Sequence, residues 1–314
     1  MAKQSGLGDN FYIGGYDLSG DVSALDKISG PIAVLDSTGI NKSANERLFG
    51  QRDASMQFTT LFNFTGTTNT PAVPASTVTA QNTNAWPVFV TITGGTLTFV
   101  FVNGVQVGTT AGTYVVPAGQ TISITYSVAP TWAWTGVLAE HNALSSLPTA
   151  DEVASYFPGA SFGGPAACVI GKQINYDGTR DNKGALTAQV EVDSNGFGME
   201  WGLALTPGLR ADTAATNGTG IDNGALTAFG AQAYFNLVAI IGTSVDIVVE
   251  HSVDNITYAT LIDFGAQASV GSGRGSVSNT TTVNRWVRVK TTGTFTYAQF
   301  AVMFNRNLIA GQVF

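Results

Sequence analysis

Charge is what this sequence has least of. Asp, Glu, Lys and Arg make up 11% of its 314 residues, against about 25% in an ordinary soluble domain. Disorder is excluded all the same, because disordered chains are charged and poor in apolar residues, and here 44% are hydrophobic. The surface must be polar through hydroxyls and amides. Such a surface can be buried against a copy of itself without desolvating many ions. Basic residues are the scarcer sign, 14 against 21 acidic, for a net charge of −7. Sequence-specific binding to nucleic acid needs a basic footprint that is missing here, whereas an acidic wall would let DNA slide past. The single cysteine, Cys168, cannot form an intramolecular disulfide. Between Ala166, Ala167, Val169 and Ile170 it reads as a small buried residue. The two histidines, His141 and His251, have no neighbouring His or Cys at ligand spacing, so no metal site is expected. No apolar run reaches the ~20 residues of a membrane helix, and no signal peptide is evident. The product is expected to be made in the host cytoplasm, without a membrane span.

Motifs that carry chemistry are equally scarce. Gly271-Ser-Gly-Arg-Gly275 has the look of a phosphate loop but lacks the Lys-Ser/Thr pair and a following helix pattern; it reads as a flexible turn. Glu191 and Asp193 share one strand face, where solvent-facing carboxylates are the plainer reading than an acid/base pair. The charged run Asp177-Gly-Thr-Arg-Asp-Asn-Lys183 does not have calcium-loop spacing and reads as a solvated hairpin tip or a salt-bridging subunit contact. The expectation is a non-enzyme with no catalytic residue and no cofactor.

What is present is β pattern. Alternating apolar residues predict short strands near Phe11–Tyr16, Ile32–Leu35, and over 55–63, 167–174, 186–192, 197–205, 233–241, 245–251, 286–290 and 300–304. From Ala54 to Ala139 there is no charged residue at all. Inside that run Val88, Val90 and Ile92 alternate, as do Leu97, Phe99 and Phe101. Asn103-Gly104 supplies a hairpin turn, and Ile122, Ile124 and Tyr126 alternate again. This block, 65–139, is predicted to be an immunoglobulin-like sandwich entered by a Pro- and Thr-rich linker, with Trp132 and Trp134 sealing its core. Two helix signals stand out. Residues 43–49 have helical composition ahead of Gly50. Thr149-Ala-Asp-Glu152 matches a capping box, with Val153, Tyr156 and Phe157 as the apolar side of a two-turn helix. The fold class is all-β with one or two short helices.

The segment 32–63 resembles tail-tube proteins of siphophages, through Gly50, Asp53, Ser55, Met56 and Phe58 and then Phe62-Asn63. Leu147-Pro-Thr-Ala-Asp-Glu-Val153, Gly171-Lys-Gln-Ile-Asn-Tyr-Asp177, Gly198-Met-Glu-Trp-Gly202 and the C-terminal Arg288-Val, Thr292-Gly-Thr-Phe295 and Arg306-Asn307 look like major tail proteins of actinobacterial siphophages. The order of these motifs carries the resemblance, which covers most of the chain outside the charge-free block. It implies a discontinuous tail-tube β-sandwich or barrel domain (1–64 and 140–224), an inserted domain (65–139) and a β-rich C-terminal lobe (225–314), either separate from the tube domain or part of it. It also implies a homo-oligomer of stacked hexameric rings, with trimeric rings of two-lobed subunits as the alternative. Other tail proteins would be partners, and phage DNA would pass through the lumen without sequence-specific binding. Inter-ring contacts would come from the 1–15 arm and the 206–224 loop; Phe11, Tyr12, Tyr16, Arg210, Asp212 and Asp222 are the residues singled out. The insert would project outward, toward host-surface glycan, where Trp86 and Trp132 have rings to offer sugars. Two rivals stand beside this reading: a capsid decoration or minor tail protein, and a carbohydrate-binding tail adhesin.

Overall fold

A computed structural model of the chain describes residues 8–64, 66, 68–84, 87–117, 119–136, 140–180, 182 and 184–310. The strands in chain order are β1 (Asn10–Ile13), β2 (Tyr16–Asp17), β3 (Val22–Ser29), β4 (Ile32–Asp36), β5 (Arg47–Arg52), β6 (Ser55–Leu61), β7 (Thr79–Gln81), β8 (Val88–Thr93), β9 (Thr96–Val102), β10 (Val105–Gly108), β11 (Gly112–Val116), β12 (Thr121–Val128) and β13 (Thr131–Gly136). A five-residue helix, α1 (Glu140–Leu144), follows. Then come β14 (Glu152–Phe157), β15 (Pro165–Arg180), β16 (Leu186–Ser194), β17 (Glu200–Ala204), β18 (Arg210–Asp212), β19 (Ile221–Asp222), β20 (Ala231–Ser252), β21 (Ala259–Gln267), β22 (Gly271–Val277) and β23 (Trp286–Arg306). The chain is all-β, in sandwich-like layers. It divides into two compact units, Met1–Phe62 with Ser146–Phe314, and Asn63–Ser145. Residues 225–314 fall in the first of these.

The first unit is built around the antiparallel pair β20–β23, in register from Ala231↔Arg306 to Ser252↔Trp286. Successive side chains alternate faces, and here both faces are covered over the first half of β20. Ala231, Ala233, Phe235 and Leu237 enter one core with Phe300, Val302 and Phe304. Tyr234, Ala301 and Met303 enter another with Tyr12, Val153, Phe157 and Cys168. That is why 298–304 reads as a near-continuous apolar run. Farther along, Val245, Ile247 and Val249 stay in the first core. The opposite face carries Glu250, paired with Arg288 at 2.7 Å and Lys290 at 3.3 Å.

Both long strands were expected as two shorter ones each. The apparent breaks are β-bulges: the register shifts at Ile241/Gly242 and Gly242/Ser244. Gly242 (φ 142°) and Gly293 (φ 112°) carry the backbone there. A Cβ on Gly242 would lie 2.4 Å from Phe295 Cα, so only glycine lets the ladder run on.

Three local expectations are corrected. Residues 149–157 hold no helix; β14 pairs with β1 on one side and β15 on the other. Val153, Ala154, Ser155 and Phe157 are all buried, and two ladders outweigh one capping signal. Residues 43–49 are not helical either, and their second half belongs to β5. Gly271-Ser-Gly-Arg-Gly275 is no turn but the start of β22, paired with β20. Its glycines make room for neighbours: a Cβ on Gly273 would lie 2.8 Å from the Phe235 ring, and one on Gly275 2.5 Å from Ile262.

The second unit has two sheets, β10-β9-β12-β7 and β11-β8-β13. Val88, Val90, Ile92, Val100, Val116, Ile122, Ile124 and Trp134 fill the space between them. The entry segment packs along the sandwich: Trp132 Nε1 donates to Pro71 O (2.8 Å) and Tyr126 OH to Pro74 O (2.8 Å). The two ends of the unit meet, His141 N donating to Asn63 O at 2.8 Å.

Candidate subunit interface

One hairpin of the first unit carries exposed apolar side chains and, among the described residues, joins no larger sheet. β4 and β5 pair only with each other, Val34↔Phe49, Leu35↔Leu48 and Asp36↔Arg47. Phe49 is 80% exposed, Leu48 59%, Leu35 56% and Val34 53%. The connection is held by its own polar groups. Thr38 N donates to Asp36 Oδ1 (2.9 Å), Glu46 N to Thr38 Oγ1 (2.8 Å), and Lys42 pairs with Glu46 at 2.9 Å. A lone two-stranded hairpin is marginally stable in water; Val34 and Phe49 lie on one of its faces and Leu35 and Leu48 on the other, and exposed apolar side chains grouped in this way mark interaction sites.

The hairpin's base is firmly tied. Asp53 N donates to Pro31 O (3.0 Å), Ala54 N to Ser194 Oγ (3.0 Å), and Ser194 Oγ to Asp53 Oδ1 (3.2 Å). Beside it opens a cleft of about 490 Å³ lined by residues 50–53, Ser194 and 196–198. Phe197 stacks on Arg274, 3.9 Å from guanidinium carbon to ring centroid. Arg274 pairs at 2.9 Å with Glu200 and donates to Tyr234 OH at 2.9 Å. Glu200 is fully buried. Burial pushes its carboxyl above the usual range, with Arg274 pulling the other way. This is a structural ion pair beneath the hairpin's root.

Of the residues singled out from sequence, Phe11 and Tyr12 lie inside the subunit, 3% and 0% exposed. Phe11 packs on Phe58 with ring centroids 4.4 Å apart, and Tyr12 edge-on to Phe157 at 5.5 Å. Tyr16 is part-buried in β2. The 206–224 segment, expected as a free loop, folds back on β23 through β18 and β19. Arg210 forks onto Asp212 (2.8 and 2.6 Å) and reaches Val289 O (3.1 Å). Thr291 Oγ1 closes that network on Asp212 at 2.6 Å. Asp222 is bound by Arg285, which holds its carboxyl down at about 2. These side chains are thus engaged within the subunit. Residues 1–7 and Trp86 lie outside the described residues, as do two positions of the 177–183 run. Sequence reasoning missed the hairpin because Ser43–Phe49 has helical composition; the strand pattern at Ile32–Leu35 was the signal available.

The remaining candidates find ordinary settings. His251 accepts from Asn284 N at 3.2 Å, and burial lowers its pKa. Burial pushes the Cys168 thiol up, and it sits 3.1 Å from Ser155 Oγ. Glu191 and Asp193 lie on β16, Glu191 4.0 Å from Lys27. Among the described residues no three His, Cys, Asp or Glu side chains gather to hold a metal, and no helix is long and apolar enough to cross a membrane. Trp132 is committed to Pro71 and to an edge-on stack with Trp134 at 5.6 Å.

No protein-family model and no curated protein sequence matches the chain. One solved structure, the Dit (gp 19.1) protein of SPP1, described as a paradigm of the hub adsorption apparatus in phages infecting Gram-positive bacteria, aligns over 95% of this chain and 99% of its own. The identity is 7% and the TM-score 0.26, a score at which the two chains are not shown to share a fold.

Proposed function

We propose that this chain is a structural subunit of a phage tail that assembles with copies of itself into stacked rings, forming a hollow tube for DNA passage. In this reading it is a virion protein and not an enzyme, and other tail proteins are its neighbours. The order of tail-protein-like motifs supports it, as does a surface with few ions to desolvate. The observation that carries it is the β4–β5 hairpin. Val34, Leu35, Leu48 and Phe49 are exposed on strands that, among the described residues, pair only with each other. A second copy supplies the missing cover; a contact in which that cover is a surface other than the hairpin itself is heterologous and propagates into rings or filaments.

The Asn63–Ser145 unit fits an appended immunoglobulin-like domain with one exchange. β11-β8 and β9-β12 pair as the B–E and C–F strands of that fold do, while β13 takes the place beside β8 and β7 the place beside β12. Purified protein should form ring-containing polymers in electron micrographs. Val34→Ser/Phe49→Ser should stay monomeric by sedimentation with an unchanged circular dichroism spectrum. A wild-type chain that remains a lone globule at every concentration would sink the proposal. Removing 65–139 should leave polymers intact.

A further inference from the structure

One sheet face of the Asn63–Ser145 unit departs from the alternation expected of a half-solvated antiparallel sheet. On β9, Val100 and Val102 turn toward the core, so Phe99 and Phe101 stand on the outer side. Phe99 is 38% exposed and Phe101 is part-buried. Their ring centroids are 6.0 Å apart, the planes tilted by 53°. The register places Gln106 of β10 beside Phe101. On the other flank Ser123 lies opposite Phe101 and Thr125 opposite Phe99, with Thr79 of β7 opposite Ser123. Two aromatic rings are therefore framed by one amide and three hydroxyls, in a segment without a single charged residue.

We propose that this face binds a neutral oligosaccharide. The C–H face of a pyranose is apolar and packs on an aromatic ring, while its rim of hydroxyls needs both donors and acceptors, which amides and hydroxyls supply together. A phosphate, a sulfated sugar or an ionic peptide would lose its water here and find no counter-charge. Protein interfaces are enriched in Phe but depleted in Ser, so it is the frame of hydroxyls and an amide around the rings that favours a sugar over a second copy of this face. The tilt of the two rings favours one sugar ring stacked on each phenylalanine over a flat two-ring platform.

The test is saturation-transfer NMR on the full chain with a panel of neutral oligosaccharides: cello-, malto-, xylo- and chito-oligomers and galactans. Transfer to at least one of them is expected, unchanged as NaCl rises from roughly 50 to 500 mM because no ion pair is involved. Phe99→Ser/Phe101→Ser should weaken it about tenfold and Gln106→Ala about threefold, given the usual size of an aromatic contact and of a single hydrogen bond. Both variants change outward positions, so thermal melting should match the wild type. Absence of transfer to every member overturns the proposal, as does binding that survives the double substitution or fades with salt. Self-association of the wild type that the double substitution abolishes also overturns it, because a copy of the chain would then own the face.

Discussion

Two antiparallel strand pairs in this chain make the same kind of ladder and share little else. β20–β23 runs from Ala231↔Arg306 to Ser252↔Trp286, and its side chains enter two cores, one on each face. β4–β5 has four aligned pairs and almost nothing over either face. Backbone hydrogen bonds net only about 1 kcal/mol each against water, so what distinguishes the two pairs is cover. The first has its cover from the same chain. The second carries apolar side chains as large as those of the first and leaves them bare, which makes sense for a strand pair whose cover arrives with another molecule.

The comparison is most sharply tested by cutting into each pair. Phe300 is fully buried in the first core. Phe300→Ala should cost about 3–5 kcal/mol, the usual range for a large aromatic removed from a packed core, read as a lowered urea midpoint of the isolated subunit. Val34→Ser/Phe49→Ser also removes large apolar groups, yet should shift that midpoint by no more than about 0.5 kcal/mol, as exposed substitutions do. Its effect should appear only in assembly. A loss of about 2 kcal/mol or more in the monomer would mean the hairpin is covered by its own chain, and the contrast would collapse.

The buried pair was the more legible in sequence. Near-continuous apolar runs at 233–241 and 300–304, where both faces are covered, and alternation at 245–251, where one is, mark it. Its continuity was not legible. A glycine inside a strand pattern suggests a bulge or a close approach, but only the opposing strand shows that Gly242 is the one and Gly273 the other, a gap left for Phe235. The same limit hid β14, whose capping-box letters are local while its two ladders are not. It also misassigned Phe99 and Phe101, which alternate with Leu97 as though all three faced inward. The register slips between Leu97 and Phe99, Tyr126 facing the first and Thr125 the second. One extra residue on a strand sends the following side chains to the other face. The hairpin was half legible: 32–35 reads as a strand, but 43–49 has helical composition and hides β5.

Between the bare hairpin and the doubly covered ladder lies β14, and its first residue gives the smallest effect. Glu152 is half-buried beside Gly14, where an added Cβ would lie 2.6 Å from its carboxylate, and burial raises its pKa above the usual 4.5. The folded chain therefore holds that proton more tightly than the unfolded chain. Its contribution to stability is fully present below the usual carboxylate value and declines as pH rises from there through the raised one. Glu152→Gln cannot titrate, so the urea midpoint should lose this decline and the variant should match or exceed the wild type near pH 7. Its neighbour Asp151 behaves oppositely. Lys172, 2.8 Å away, and Asn195 hold its carboxyl low, so its contribution is present above the usual 3.8 and is lost as pH falls through the depressed value. Asp151→Asn should flatten only the acid limb of the same curve. Adjacent residues with opposite slopes make the measurement a test of cover itself, because one side chain points into the protein and the other toward water. If the two substitutions flattened the same limb, Glu152 would not be set into the sheet with Asp151 outside it.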